Sequence, residues 1–138
     1  MQYTKNFSDE TDYKIMAGQK NEEIQRKMKC VLTELQKARD HFDVGFIINS
    51  GYRTKEHNDR VGGAKNSQHM FGEAVDFVIS PNTKDITLEK VYNWMKDNLE
   101  YDQLILEKGK TVTWIHFSYK EIINPNRHQV LTLFPKTL

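Results

Sequence analysis

The sequence predicts an α+β domain in which helices pack against a mostly antiparallel sheet. Three helical segments, several short runs of β-branched and aromatic residues, and a hairpin pattern late in the chain indicate this class. A chain of 138 residues has room for one hydrophobic core, so we expect a single domain over residues 1–138.

Each helix is predicted from its capping residue and its apolar period. From Asn21 to about Phe42 apolar residues recur at helical spacing, with Asn21 as the cap and two glutamates in the first turn. A short second helix is expected to begin after Thr54 and to end at Gly62-Gly63, and Thr87 caps a third.

The strands are predicted from short apolar runs that end at turn residues. The polar stretch from Gly63 to Gly72, between two such runs, is predicted to be a loop. A hairpin is expected around the turn Lys108-Gly109-Lys110, and the tail is expected to add an edge strand. The predicted strands are Val44–Ile48, Ala74–Ile79, Gln103–Glu107, Val112–Tyr119 and Gln129–Phe134.

Composition and charge exclude several classes of protein. Lys and Arg number 20 and Asp and Glu 19, and both signs are interspersed, so we expect no nucleic-acid and no membrane partner. The single cysteine, Cys30, excludes an internal disulfide and a Cys-rich zinc site. The first residues lack the pattern of a signal peptide, and no apolar run approaches the length of a membrane span. We therefore expect a cytoplasmic protein, and a monomer.

Three side chains that can bind a metal occur where the local pattern does not require them. His69 lies in the polar loop, Asp76 interrupts an apolar strand, and His116 interrupts the second hairpin strand. A buried carboxylate needs compensation, and two imidazoles with one carboxylate suit a zinc site with an open position for water. Spacing alone also fits hydrogen-bonded histidines, with Asp76 paired to Arg53 or Arg60.

A longer series of motifs favours the metal site. The chain contains, in order, Ser50-Gly51-Tyr52-Arg53, Ser67-Gln68-His69, Gly72-Glu73-Ala74-Val75-Asp76 and Trp114-Ile115-His116-Phe117. From about Asn6 to Tyr119 the sequence resembles the zinc D-alanyl-D-alanine carboxypeptidase family, which includes bacterial cell-wall peptidases and phage L-alanyl-D-glutamate endolysins. The family signature Ser-x-His, two residues, Gly-x-Ala-x-Asp is matched at every position from Ser67 to Asp76.

This resemblance implies a fold shared with the hedgehog signalling domain and a substrate that is a peptidoglycan peptide or another peptide with D-amino acids. It gives Arg53 the role of binding a substrate carboxylate or the charge that develops on oxygen, and Ser67 a place in the substrate site. The structural alternative for Arg53 is an ion pair with Asp76, and the alternative for Ser67 is a hydrogen bond that braces the loop. It also implies one zinc ion per chain with three ligands, His69, Asp76 and His116.

The general base is where the sequence departs from the family. Several members carry an acidic residue three positions before the last histidine, and here that position is Thr113. Glu107 is our candidate, because the hairpin could bring its carboxylate toward the metal. The distance along the strands is large if residue 107 pairs with residue 112, and Glu107 also fits a solvated turn acid. Asp102 and Glu73 are weaker alternatives.

The sequence thus predicts a zinc peptidase that hydrolyses peptidoglycan stem peptides, with Glu107 and Arg53 as catalytic residues. Trp114, on the same strand face as His116, is a candidate for the substrate cleft. The expected setting is phage or prophage lysis, in which a separate pore releases the enzyme. The second expected setting is that of a cytoplasmic dipeptidase. Whether a terminal or an internal bond is cut stays open. The alternatives are a zinc-stabilised binding module without catalysis, which Thr113 favours, and a metal-free structural domain.

Overall fold

A computed structural model describes residues 1–120 and 126–134. Within these ranges the chain has the predicted α+β class, with helices packed against a five-stranded sheet. The prediction of one domain over residues 1–138 extends beyond the described ranges and stays a prediction. The strands are β1 (Phe46–Ser50), β2 (Ala74–Ile79), β3 (Gln103–Lys108), β4 (Thr113–Ser118) and β5 (Gln129–Leu133), and the α-helices are α1 (Glu22–Phe42), α2 (Lys55–Arg60) and α3 (Leu88–Asn98).

The three helices begin where their capping residues predict. The side chain of Asn21 accepts a hydrogen bond from the backbone N–H of Ile24, and Thr54 and Thr87 accept the equivalent bonds at α2 and α3. The acceptor satisfies one of the N–H groups that a helix leaves unpaired at its first turn. These predictions are confirmed, although α2 ends at Arg60, before the predicted glycines.

The sheet has the strand order β1-β2-β4-β3-β5. The pairs β1–β2, β2–β4 and β3–β4 are antiparallel, while β5 runs parallel to β3 at the edge. The predicted hairpin and edge strand are therefore confirmed. The first strand begins at Phe46, two residues later than predicted, and the predicted loop contains a short 3₁₀ helix over Gln68–Phe71.

One hydrophobic core lies between the sheet and helices α1 and α3. In β2, Val75 and Phe77 enter this core and are fully buried, while Asp76 between them lies on the other face. The opposite face of the sheet is therefore free to carry polar groups. None of the helices in the described ranges has the length and apolar character that crossing a bilayer requires. Large core side chains include Phe7, Ile15, Met28, Leu32, Leu35, Met95, Leu104, Ile115 and Phe117.

Candidate metal centre

Strand register places the predicted site residues on one face of the sheet. Asp76 on β2 lies opposite His116 on β4, and His116 lies opposite Ile105 on β3. Glu107, two residues after Ile105 on β3, lies opposite Trp114 on β4. Because alternate residues of a strand share a face, these side chains all lie on the side of the sheet away from the core.

A cavity of about 530 Å³ opens over this face. It brings together all the site residues that the sequence predicts, from segments far apart in the chain. They are Arg53, Ser67, His69, Asp76, Glu107, Trp114 and His116. Its wall also contains residues that no sequence pattern indicates, among them Gln68, Gln103, Ile105 and Arg127.

His69 enters the site from the 3₁₀ helix. The hydroxyl of Ser67 accepts a hydrogen bond from the backbone N–H of His69 at 3.3 Å, so Ser67 does brace this turn. The ring Nδ1 of His69 lies 2.8 Å from the carbonyl oxygen of Gly51. A carbonyl only accepts, so Nδ1 carries the hydrogen and Nε2 presents its lone pair. Gly51 in turn lies against the backbone of Ile15, where a Cβ would overlap.

The two histidines converge on one carboxylate oxygen. Oδ1 of Asp76 lies 3.2 Å from Nε2 of His69 and 3.0 Å from Nδ1 of His116. One ligand atom from each of the three residues lies within 4.8 Å of the others. In the neutral ring Nε2 of His69 faces the carboxylate with its lone pair, so a proton or a metal cation must lie between these two acceptors. The arrangement therefore fits a metal ion bound by two imidazoles and one carboxylate.

Neighbouring groups keep Asp76 ionised. Burial acts to raise the pKa of this carboxyl, but a proton on the facing nitrogen of His116 or His69 forms a hydrogen bond to it and holds that pKa well below its usual range. Nη2 of Arg53 also lies 3.4 Å from Oδ2 of Asp76. The ion pair that was the structural alternative is thus present, and it coexists with the cluster.

Arg53 is held beside the cluster by two further bonds. Its Nε donates to the hydroxyl of Ser50 at 3.0 Å, and its Nη1 donates to Oδ1 of Asn58 at 3.3 Å. Asn58 is fully buried and packs against Gly63, where a Cβ would overlap its Oδ1. The glycine turn after α2 therefore supports the position of the guanidinium. Arg60, the other partner considered for Asp76, is exposed.

The hairpin register brings Glu107 nearer to the cluster than a pairing with residue 112 would. Glu107 pairs with Trp114, so it is a diagonal neighbour of His116. Such neighbours lie about 7–8 Å apart, a gap that a glutamate side chain can largely span. Burial, followed by the charge of Asp76, raises the pKa of Glu107. Thr113 pairs with Lys108 and, by alternation, lies on the other face of β4.

The alternative bases are less well placed. Asp102 is fully buried, and both of its oxygens accept hydrogen bonds from Arg127. Burial acts to raise the pKa of Asp102, but its bonds to Arg127 and Gln68 outweigh burial and lower that pKa to about 2. Asp102 is therefore a structural anion. Glu73 is not among the residues that line the cavity.

Taken together, the mostly antiparallel sheet and the His-Asp-His cluster, with a carboxylate and a guanidinium beside it, are typical of the metal site of a zinc hydrolase. The family model of Peptidase M15 matches residues 8–122. The chain belongs to the Peptidase M15 family, a family of zinc peptidases, and zinc is its metal. The resemblance seen in the sequence is thereby confirmed.

A search of curated proteins found no match. Among solved structures, the chain is similar to a zinc complex of a mutant of the vancomycin resistance D,D-pentapeptidase VanY from a VanB-type resistance cassette. The identity is 22%, the TM-score is 0.40, and the match covers 52% of this chain and 54% of that one. The match thus spans about half the length of each protein.

Proposed function

We propose that this protein is a zinc-dependent peptidase that hydrolyses the stem peptides of bacterial peptidoglycan. The observation that carries the proposal is a single cavity that contains the His-Asp-His cluster, a carboxylate and a guanidinium. A bound zinc ion polarises a carbonyl group and lowers the pKa of water. The ligands in this proposal are Nε2 of His69, Oδ1 of Asp76 and Nδ1 of His116.

Glu107 is the proposed general base. It lies diagonal to His116, and its raised pKa brings it closer to neutrality, where a carboxylate accepts and returns a proton most effectively. It would take the proton of the attacking water and later deliver it to the leaving amine. The carboxylate also lies on the same face as the cluster, whereas Thr113 lies on the other face.

Arg53 is proposed to stabilise the negative charge that develops on the carbonyl oxygen. Its guanidinium lies beside Asp76 and is fixed by Ser50 and Asn58, so it needs little reorganisation when the charge appears. Ser67 and Trp114 line the same cavity and are proposed to contact the peptide. The indole N–H of Trp114 is buried beside the Glu107 carboxylate.

The resemblance to a family that includes phage endolysins supports phage or prophage lysis as the setting. The reaction products identify the bond that is cut. A carboxypeptidase releases the terminal D-alanine, whereas an endopeptidase separates the stem peptide into two fragments. Mass spectrometry of digested peptidoglycan distinguishes these outcomes.

The test compares the wild type with Glu107→Gln on isolated peptidoglycan, each with added zinc and with added chelator. We expect chelator-sensitive fragments from the wild type. We expect a rate at least 100-fold lower from the variant, with one zinc per chain retained. Glu56→Gln, an exposed change on α2, is the matched control and should keep full activity.

The outcomes separate the two functions that the sequence leaves open. Full hydrolysis by Glu107→Gln would show that another group is the base. A zinc-loaded wild type that binds peptidoglycan and releases no fragment would favour the binding module.

A further inference from the structure

Arg127 lines the same cavity as the metal cluster, but the proposed mechanism gives it no role. Its side chain is 52% exposed, in contrast to 15% for Arg53 beside the cluster. The sequence offers no local signal for it, because Arg127 follows the hairpin and precedes the edge strand β5. Arg127 is thus an exposed cation in the cavity wall that the metal cluster does not use.

A buried carboxylate holds Arg127 in one orientation. Nη2 donates to Oδ2 of Asp102 at 2.7 Å, Nε lies 3.1 Å from both oxygens, and the backbone N–H donates to Oδ1 at 2.9 Å. The pairing leaves Nη1 of Arg127 without an acceptor among the described residues. A guanidinium fixed along one edge presents its remaining N–H groups in a defined direction.

Charge at this end of the cavity is positive. Asp102 faces two cations, Arg127 and Lys120, the latter with its Nζ 3.9 Å from Oδ1. One positive charge is therefore left uncompensated. The cavity wall as a whole carries two arginines and two carboxylates, and a zinc ion adds two positive charges. An anionic ligand is favoured over a neutral one.

Gln68 extends this polar end toward the cluster. Its Nε2 donates to Oδ2 of Asp102 at 2.7 Å, which fixes the orientation of the amide. Its Oε1 is buried and has no hydrogen-bond partner among the described residues. This oxygen can accept a bond from a peptide N–H in the cavity, which Gln68 lines.

The strand register gives the distance between this end and the cluster. Ile105 lies opposite His116, and Asp102 lies three residues before it. At about 3.3 Å per residue the two positions are about 10 Å apart along the strand, and Glu107 lies in the opposite direction. A group bound at Arg127 would therefore lie at most about three residues of an extended peptide from the scissile carbonyl.

We propose that Arg127, held by Asp102, binds a free carboxylate of the substrate and thereby selects peptides that carry one near the scissile bond. This inference rests on the proposed function and adds a specificity residue to it. In a stem peptide the carboxylate has two sources, the C-terminus and the free α-carboxylate of the D-isoglutamate.

The test uses four synthetic peptides of the sequence L-Ala-D-isoGlu-L-Lys-D-Ala-D-Ala, in which each carboxylate is left free or converted to its amide. The wild type, Arg127→Gln and Arg127→Lys are compared in their zinc-loaded forms. Arg60→Gln is the matched control, because Arg60 is an exposed arginine that does not line the cavity.

For the wild type and the control, we expect one of the two amidations to raise KM about 10- to 100-fold, with kcat changed less than threefold. That amidation names the source of the carboxylate. In Arg127→Gln the free-acid and amide peptides should have the same KM. Arg127→Lys keeps the charge and should give an intermediate ratio. A merely structural role would lower stability and leave the acid-to-amide ratio unchanged.

An unchanged ratio in Arg127→Gln overturns the inference while the peptidase activity stands. If the zinc-loaded wild type cleaves none of the four peptides, the proposed function fails for them, and calorimetric titration of the same peptides then decides the inference. Acid-selective binding that Arg127→Gln loses would support it. Equal binding of acid and amide, or no binding, would overturn it.

Discussion

Asp102→Asn is expected to lower the free energy of unfolding by about 2 kcal/mol at pH 7. Asp102 is fully buried, and its bonds to Arg127 and Gln68 lower its pKa from an ordinary value of 3.8 to about 2. Each tenfold change in proton affinity corresponds to about 1.4 kcal/mol, so the drop amounts to about 2 kcal/mol in favour of the ionised folded state. An amide resembles the neutral acid in shape and loses this contribution.

The pH dependence follows from the same shift. Because the pKa of Asp102 is lower in the folded than in the unfolded protein, its contribution is complete above about pH 4 and is lost as the pH falls through about 2. At pH 3 about half remains, or about 1 kcal/mol. The difference between wild type and variant should therefore shrink by about half between pH 7 and pH 3.

Urea unfolding followed by tryptophan fluorescence measures this difference. Chelator is present throughout, because protonation of the ligands at pH 3 would otherwise release the metal from one set of samples. Asp59→Asn is the control: Asp59 is exposed and pairs with Lys55 on the surface of α2, so its loss should leave the unfolding free energy within experimental error of the wild type. A difference that is equal at both pH values, or no difference at pH 7, would show that the charge of Asp102 does not stabilise the folded protein.

Three further changes test the local structure. Gly63→Ala should lower the free energy of unfolding by about 1–3 kcal/mol and reduce activity, because its Cβ would displace the Asn58 amide that accepts from Arg53. In Gly62→Ala the new Cβ meets no atom within 4 Å, and only the strain of a φ of +71° remains, so the free energy of unfolding should fall by less, about 1 kcal/mol. The same urea titration compares the two variants, and a larger loss in Gly62→Ala than in Gly63→Ala would contradict this expectation. Asn21→Ala should lower the free energy of unfolding by about 1 kcal/mol, because the α1 cap is lost. Thermal unfolding followed by circular dichroism measures this, and a midpoint equal to that of the wild type would show that the cap does not stabilise the protein.

The sequence alone determined the parts of this protein that depend on neighbouring residues. Asn21, Thr54 and Thr87 mark the helix starts, because a cap bonds to an N–H only two or three residues away. Alternation separates Asp76 from the apolar residues on either side of it, and so shows that β2 has a polar face. The same local logic singled out the three side chains that we propose as metal ligands, because their elements do not require them.

What brings those three residues together is tertiary. Asp76 and His116 are 40 residues apart and become neighbours because β2 pairs with β4 rather than with β3. The position of Glu107 likewise depends on the hairpin register, since a pairing of Glu107 with Val112 would leave its carboxylate away from His116. No local pattern specifies which strands pair, or in which register.

The Asp102–Arg127 pair depends most on the tertiary structure. The two residues lie 25 positions apart, and both are of charged types that usually lie on the surface. Only the folded chain shows that one is fully buried while the other lines the cavity. A buried charge is stable when its partners surround it in three dimensions, and those partners come from the 3₁₀ helix and from the segment before β5. The sequence therefore determined the chemistry of the proposed metal ligands, and the tertiary structure decided what surrounds them.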